Sequence, residues 1–416
     1  MAEISPFEEW SESEAVLLDN DDLNLLKKIN DNKSNARIEI IPEDNQYKLR
    51  ATSWVGTIKT HNHIITIKPK IGNLNFFKML EYSENLDDIR LLDEVKITSG
   101  RSLVDFMAKL FVESVDNILQ EGIYKNYNIL EEEISTIRGK LLVAKNVRKP
   151  RFLQEKFWCE CDELGPDILE NQILLYCSKI LSELVINDSI KENLDQIQHI
   201  FEKEGVSEYV PDLYHLDMIH YQRFNEHYEK ILKLCEFILR STWYGDFSKK
   251  DIVPVYGFLY NMNTLFQNFV TKSVQEEFHQ FRIKREPSKK KLLQEIPFKE
   301  KNTKQVSAKV LKPDIVMCDK KTGKIRLVID TKYKKDDPTA NDFYQSVAYS
   351  LAFDCPVLLL FPQLNQRKRG DFELVDELDK SAPIFSRTID LSESDSDYIC
   401  VMKSRIKNII DTILQI

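Results

Sequence analysis

The sequence predicts an α/β protein, α+β overall, and three features carry that prediction. Two apolar runs, residues 315–317 and 325–329, flank a polar turn holding Gly323, the pattern of a β-hairpin. A segment of helical periodicity, 342–352, follows. After it the run 357–361, bounded by Pro356 and Pro362, reads as a buried strand. Residues 167–242 carry long apolar periodicity with few glycines and read as mostly helical, after an opening third rich in strand patterns. With 416 residues and 42% hydrophobic content, the chain has core enough for two or more domains, divided near residue 250 into 1–250 and 251–416.

Taken in chain order, residues 47–57 and 63–68 read as strands about a polar turn at Thr60-His61-Asn62. A helix over 102–120 takes Ser102 as its N-cap, and Gly122 follows its end. Leu103, Phe106, Leu110, Phe111, Val115, Ile118 and Leu119 trace its apolar stripe. Residues 134–143, which include Arg138-Gly139, read as a further strand region. The long helical stretch ends at Trp243-Tyr244-Gly245-Asp246-Phe247. After Val255-Tyr256-Gly257-Phe258, a helix over 262–279 leads into a basic segment. No internal repeat or low-complexity tract occurs.

The candidate site lies on the hairpin. If its turn centres near Lys321 and Thr322, Asp314 and Asp330 lie opposite each other, with Cβ atoms ~4.5–5.5 Å apart. Lys332, two residues on, points to the same face of an extended strand. Two carboxylates and one ammonium at one spot suit phosphodiester hydrolysis. Aspartate oxygens hold Mg²⁺ (or Mn²⁺). The metal polarises phosphate and acidifies water, and the lysine orients that water or stabilises developing charge. Pro313-Asp314 with Asp330-Thr331-Lys332 is the pattern of the PD-(D/E)xK nucleases. The bare triplet is weak, because Asp31-Asn32-Lys33, Glu94-Val95-Lys96 and Asp319-Lys320-Lys321 also fit it. Only Asp330 follows a buried-looking strand and has a facing Pro-Asp; the alternative is an ordinary surface salt bridge. Gln345 and Tyr349 share a helix face at i, i+4. They can contact a nucleic acid backbone or brace the site, or simply form a helix surface.

Net charge is −9, yet between residues 282 and 335 there are 18 Lys plus Arg against 6 Asp plus Glu. That basic apron, with Lys289, Lys290, Lys291 and Lys312 leading into Asp314, suits a polyanion; a solvated loop face is the other reading. No run is apolar and long enough to cross a bilayer, and the acidic start lacks a signal-peptide pattern, so a cytoplasmic protein is expected. Seven scattered cysteines, Cys159 and Cys161 among them, form no zinc pattern and read as buried thiols. His215, His220 and His227 match no metal spacing. No G-x-x-x-x-G-K-[ST] occurs, since Gly139-Lys140 and Gly323-Lys324 both precede apolar residues; the chain carries no Walker-type NTPase of its own.

Motifs spread over residues 50–360 resemble the McrC family, the nuclease subunits of McrBC-type restriction systems. They are Trp54-Val55-Gly56, Ile67-Lys68-Pro69-Lys70, Lys78-Met79-Leu80-Glu81-Tyr82 and Arg138-Gly139-Lys140-Leu141. Further on come Asp162-Glu163 with Glu170-Asn171, the helix Leu265-Phe266-Gln267-Asn268-Phe269-Val270, and Asp330-Thr331-Lys332-Tyr333-Lys334. The resemblance implies an antiphage restriction endonuclease with two tasks. Its C-terminal part would cut double-stranded DNA with Mg²⁺. Its N-terminal part would dock on a separate hexameric AAA+ GTPase, commonly one that reads methylated cytosine. Lys334 joins the candidate DNA contacts. The family helix has Glu where this chain has Gln267; an oxygen from that position can add a metal ligand, and an amide oxygen binds Mg²⁺ more weakly. Two alternatives stay open: a nuclease fold that mainly activates and scaffolds the GTPase, and a stand-alone DNA-processing nuclease.

Overall fold

A computed structural model describes residues 2–30, 36–84, 102–147, 156–244, 255–285, 290–293, 309–334, 337–363, 370–372, 383–391 and 397–415. Two larger sheets organise it. The first has the strand order Ala2–Glu8, His63–Lys68, Trp54–Lys59, Val255–Asn261, Thr242–Tyr244. Its outermost pair, Ala2–Glu8 with His63–Lys68, is parallel, and the remaining pairs are antiparallel. Two glycines let its centre close. A Cβ on Gly56, at φ +138°, would lie 2.0 Å from the Phe258 carbonyl oxygen, and one on Gly257 would lie 2.8 Å from that of Thr57. Only glycine fits such an approach.

Two strand expectations need correction. Residues 47–57 are not one strand. Gln46–Ala51 pairs with Ile38–Glu43 in a separate ribbon, and the chain turns at Thr52-Ser53 before Trp54–Lys59 enters the sheet. The Thr52 N–H and hydroxyl both donate to the Arg37 carbonyl, which anchors the turn. Residues 134–143 are strand only at Ile134, where Asn126–Ile134 ends, and at Lys140–Leu141, which is followed by one helical turn at Val143–Asn146. The strands there are Asn126–Ile134 and Phe157–Gly165, paired antiparallel along their whole length. Tyr127, Ile129 and Leu164 are exposed on this ribbon, and burial alternates only briefly, at Cys159 and Cys161, too short a stretch for a period-2 pattern to be legible in the sequence.

The helices follow their sequence signals. Leu103–Glu121 begins where the Ser102 hydroxyl accepts the Asp105 N–H and ends at Gly122, φ +99°. Its stripe packs in the main core with Leu169–Leu184, Asp188–Lys203 and Glu229–Ser241. Met262–Glu277 is capped by Asn261, whose side chain accepts the Asn263 N–H. Residues 245–254, where the division into two parts is expected, lie outside the described residues. The strand after them, Val255–Asn261, is hydrogen-bonded into the first sheet.

The second sheet has the order Phe281–Arg285, Ile315–Asp319, Ile325–Thr331, Val357–Pro362, Ile384–Ile389, Gly370–Phe372. The hairpin strands pair Ile315 with Ile329, Val316 with Val328 and Met317 with Leu327, the register expected from the turn, before a shift near Cys318. Ile325–Thr331 runs parallel to Val357–Pro362. The helix Ala340–Phe353 supplies the crossover that a parallel pair requires. Alternation divides the strands between two cores. Ile315, Met317, Leu327, Ile329, Leu358 and Leu360 belong to the main core shared with the first sheet. Val316, Cys318, Val328, Val357, Leu359 and Phe361 form a second core with Tyr349. Burial on both faces is why these strands read as continuous apolar runs.

Candidate functional site

The site sits where the hairpin strands end. Asp314 immediately precedes Ile315–Asp319, and Asp330 is the penultimate residue of Ile325–Thr331. Asp330 lies two residues beyond Val328 and so faces the second core, as does Lys332 after one more step of two. The Lys332 backbone N–H still donates to the Leu360 carbonyl, 2.9 Å, which keeps the chain extended past the strand end.

Each group is held. Asp314 Oδ2 accepts both the Thr331 N–H and the Thr331 hydroxyl, at 2.7 Å each. Asp314 Oδ1 accepts Gln267 Nε2 at 3.2 Å. Gln267 therefore presents the donor end of its amide to the carboxylate, not the oxygen that a metal would take. Lys332 Nζ stands 2.7 Å from Asp330 Oδ2 and donates to Gln345 Oε1 at 3.2 Å. Gln345 Nε2 donates to the Tyr349 hydroxyl, 2.6 Å, which donates to the Lys312 carbonyl, 2.9 Å. The i, i+4 pair is thus a brace that runs from the lysine to the residue before Pro313-Asp314.

Asp330 is 1% exposed. Burial pushes its carboxyl up to about 6; the Lys332 charge opposes the rise and the Asp314 charge adds to it. The Lys332 ammonium, 2.7 Å from Oδ2, is the cation that this buried oxygen faces. Among the described residues no three His, Cys, Asp or Glu side chains gather as a metal-binding group. Two carboxylates nevertheless fit Mg²⁺, which commonly takes one or two and leaves its other positions to water and phosphate.

The remaining sequence candidates separate. Lys312 is exposed beside the site. Lys334 Nζ is engaged by Asp342, at 2.8 and 2.9 Å. Asp342 Oδ2 also accepts the Thr339 N–H and hydroxyl at the start of the Gln345 helix. Burial works against the Asp342 charge, but these donors together hold its pKa below the ordinary value. Lys289 lies outside the described residues. Lys290 and Lys291 fall in the short strand Lys290–Leu293, paired with Lys309–Leu311. Cys159, Cys161, Cys177, Cys235, Cys318 and Cys355 are buried free thiols, as expected, whereas Cys400, on the helix Tyr398–Leu414, is exposed and departs from that expectation.

Sequence reading passed over Thr331, which orients Asp314 and was visible within Asp330-Thr331-Lys332. It also missed Glu9 and Trp10. Glu9 Oε1 accepts the Tyr333 hydroxyl at 2.7 Å, and the Trp10 ring stacks on that of Tyr333 at 5.1 Å. No local pattern links residues so far apart in the chain.

Fold and site together define a mixed α/β protein with an acidic, lysine-braced corner at its strand ends. A profile of the family described as "McrBC 5-methylcytosine restriction system component" matches residues 49–362, and the chain belongs to that family. It is similar to the type IV methyl-directed restriction enzyme EcoKMcrBC of Escherichia coli (strain K12), 23% identical over 216 residues. That match spans 50% of this chain and 60% of the relative. Its fold is similar to McrC bound to McrB AAA+ hexamers of Thermococcus gammatolerans, with a TM-score of 0.65 and 18% identity over 97% of this chain and 99% of that one. Among the described residues no helix is long and apolar enough to cross a membrane.

Proposed function

We propose that this chain is the DNA-cutting subunit of a GTP-dependent, modification-directed restriction complex. It is a PD-(D/E)xK endonuclease that assembles with a hexameric AAA+ GTPase and stimulates its hydrolysis. The observation that carries the reading is the meeting of Asp314, Asp330 and Lys332 at one strand end, with Asp330 buried and Lys332 Nζ 2.7 Å from its Oδ2. Asp314 and Asp330 would hold Mg²⁺ (or Mn²⁺), which when bound stabilises charge on the scissile phosphate and makes water more acidic. Thr331 and Gln267 orient Asp314. Lys332, steadied by Gln345 and Tyr349, sets its charge beside Asp330, where it orients the attacking water or offsets developing negative charge. Lys289, Lys290, Lys291 and Lys312 supply phosphate contacts. Docking on the GTPase belongs to the part built on the first sheet, residues 1 to about 250 with the strand Val255–Asn261.

Gln267 in the position of a family Glu, together with the two-carboxylate set, favours a second reading: a cleavage-deficient activator of the GTPase. One substitution separates the two. Asp330→Ala removes a metal ligand and should lower Mg²⁺-dependent DNA cleavage by about 10³-fold or more. The variant loses a buried charge together with its ion pair to Lys332, which keeps its hydrogen bond to Gln345, so circular dichroism is measured alongside to show that the fold is retained. The same variant should still stimulate GTP turnover by the partner. Cleavage at the parent rate would remove Asp330 from the chemistry. Stimulation by a parent protein that cuts no DNA would leave the activator reading.

A further inference from the structure

Tyr333 follows Lys332, and strand alternation sends the two side chains to opposite faces. Lys332 faces the site. Tyr333, 2% exposed, enters the main core, where its ring lies between Trp10 at 5.1 Å and Phe266 at 6.0 Å. Phe266 adjoins Gln267, the partner of Asp314. The Tyr333 hydroxyl ends on Glu9 Oε1, which also accepts the Lys70 N–H at 2.9 Å.

Two features of this contact are costly, and neither is needed for a plain core. Glu9 is 0% exposed, and its Oε2 has no hydrogen-bond partner among the described residues. A buried carboxyl is expensive, and Phe at position 333 with an apolar residue at position 9 would avoid the expense. Trp10 has φ +55°, a left-handed conformation that bulky residues rarely adopt. Its N–H donates to the Ala51 carbonyl, 3.0 Å, so the backbone is held there while the ring lies on Tyr333. Backbone strain of this kind persists where surrounding structure imposes it, often beside functional sites.

We propose that Glu9 is a positioning residue for Lys332, clamping Tyr333 together with Trp10 so that the chain leaving Asp330 presents the ammonium at a fixed place. The proposal rests on the cleavage reading given above. Lysine is a long, flexible side chain. On the site face its ammonium is held by one hydrogen bond, to Gln345, and one ion contact, to Asp330. The rest of its placement comes from its own backbone, whose N–H is held by the Leu360 carbonyl and which the neighbouring tyrosine anchors from the opposite face. The clamp carries the end of the first strand of the first sheet to the catalytic corner of the second.

The test uses the full chain with its GTPase partner. Single-turnover DNA cleavage at saturating Mg²⁺ and Mn²⁺ affinity are measured for the parent, Asp330→Ala, Glu9→Ala, Glu9→Gln and Tyr333→Phe. Glu9→Ala and Tyr333→Phe should slow cleavage by about 10- to 100-fold, the scale of a displaced catalytic group. Mn²⁺ affinity should stay within about two-fold, because Asp314 and Asp330 are intact. Glu9→Gln keeps an acceptor for the hydroxyl and should retain about half the parent rate or more. If Glu9→Ala does not fold, Tyr333→Phe, which removes one oxygen, decides. Cleavage within about two-fold of the parent in the deciding variant, with Asp330→Ala inactive, overturns the proposal and leaves the nuclease reading standing. So does an equal loss of Mn²⁺ affinity and rate, which would mark general disruption. Parent-like cleavage by Asp330→Ala would instead overturn the nuclease reading itself.

Discussion

Glu9 and Asp330 are both carboxyls taken out of water, and both are driven toward the neutral form. For Glu9 burial is the main cause, and hydrogen bonds from the Lys70 N–H and the Tyr333 hydroxyl only partly oppose it, leaving it at about 7. The folded chain holds this proton more tightly than the unfolded chain, so stability falls as pH rises from the unfolded value near 4.5 through about 7. The full effect of Glu9 is on the order of 3 kcal/mol. Glu9→Gln cannot titrate, and its urea midpoint should therefore fall less steeply between pH 4.5 and 7 than that of the parent. Identical pH profiles would show that Glu9 is not held neutral. Asp330 contributes with the same sign over a narrower range, and its share should remain in the variant. Sequence revealed Asp330 because a strand pattern and a facing Pro-Asp surround it. Glu9 sits among acidic residues, Glu8 beside it, and carries no such mark.

At the scale of elements, the site depends on one hairpin and one helix. The hairpin register was readable because the Gly323 turn sets which residues oppose each other, and the observed pairs keep that register as far as Met317. The Gln345 helix starts at Thr339, whose N–H and hydroxyl both donate to Asp342 Oδ2, which Lys334 Nζ also contacts at 2.9 Å. Thr339→Ala removes one of these donors and should destabilise the protein by about 1 kcal/mol. Asp342→Ala should cost more, because it also strips Lys334 of its carboxylate and leaves the Thr339 N–H without this acceptor. Chemical denaturation measures both, and equal effects would mean that Lys334 adds nothing. The helix over 102–120 was legible from its caps and stripe. The ribbon of Asn126–Ile134 and Phe157–Gly165 was not, since Glu131, Glu132 and Glu133 break any apolar alternation.

For the molecule as a whole, long-range pairing joins what the sequence separates. Val255–Asn261 lies beyond the expected division near residue 250 and pairs with Trp54–Lys59. Asn75 Nδ2 donates to the Leu391 carbonyl at 2.9 Å, and the C-terminal helix Tyr398–Leu414 packs on both Asn73–Ser83 and Met262–Glu277. The pairing of Val255–Asn261 with Trp54–Lys59 turns on Gly56. Gly56→Ala would force a methyl against the Phe258 carbonyl at a φ that L-residues rarely take, and should cost more than about 2 kcal/mol. Thermal unfolding should show a clear drop in Tm. A variant melting with the parent would mean that the two strands can part without loss.

The hairpin, its register, the helix that follows and the candidates Asp314, Asp330, Lys332, Gln345 and Tyr349 were legible in the sequence. All are set by local periodicity, turn chemistry and spacing, which act over a few residues. Long-range packing was needed to show that Gln345 and Tyr349 link Lys332 to the Lys312 carbonyl, that Gln267 offers Asp314 a donor, and that Lys334 serves a helix cap. It also decided that a glutamate near the N terminus meets Tyr333 across 324 residues of chain. These contacts arise when separate elements bury a shared surface. Which polar groups then face each other depends on packing, and packing has no signature within a single stretch of sequence.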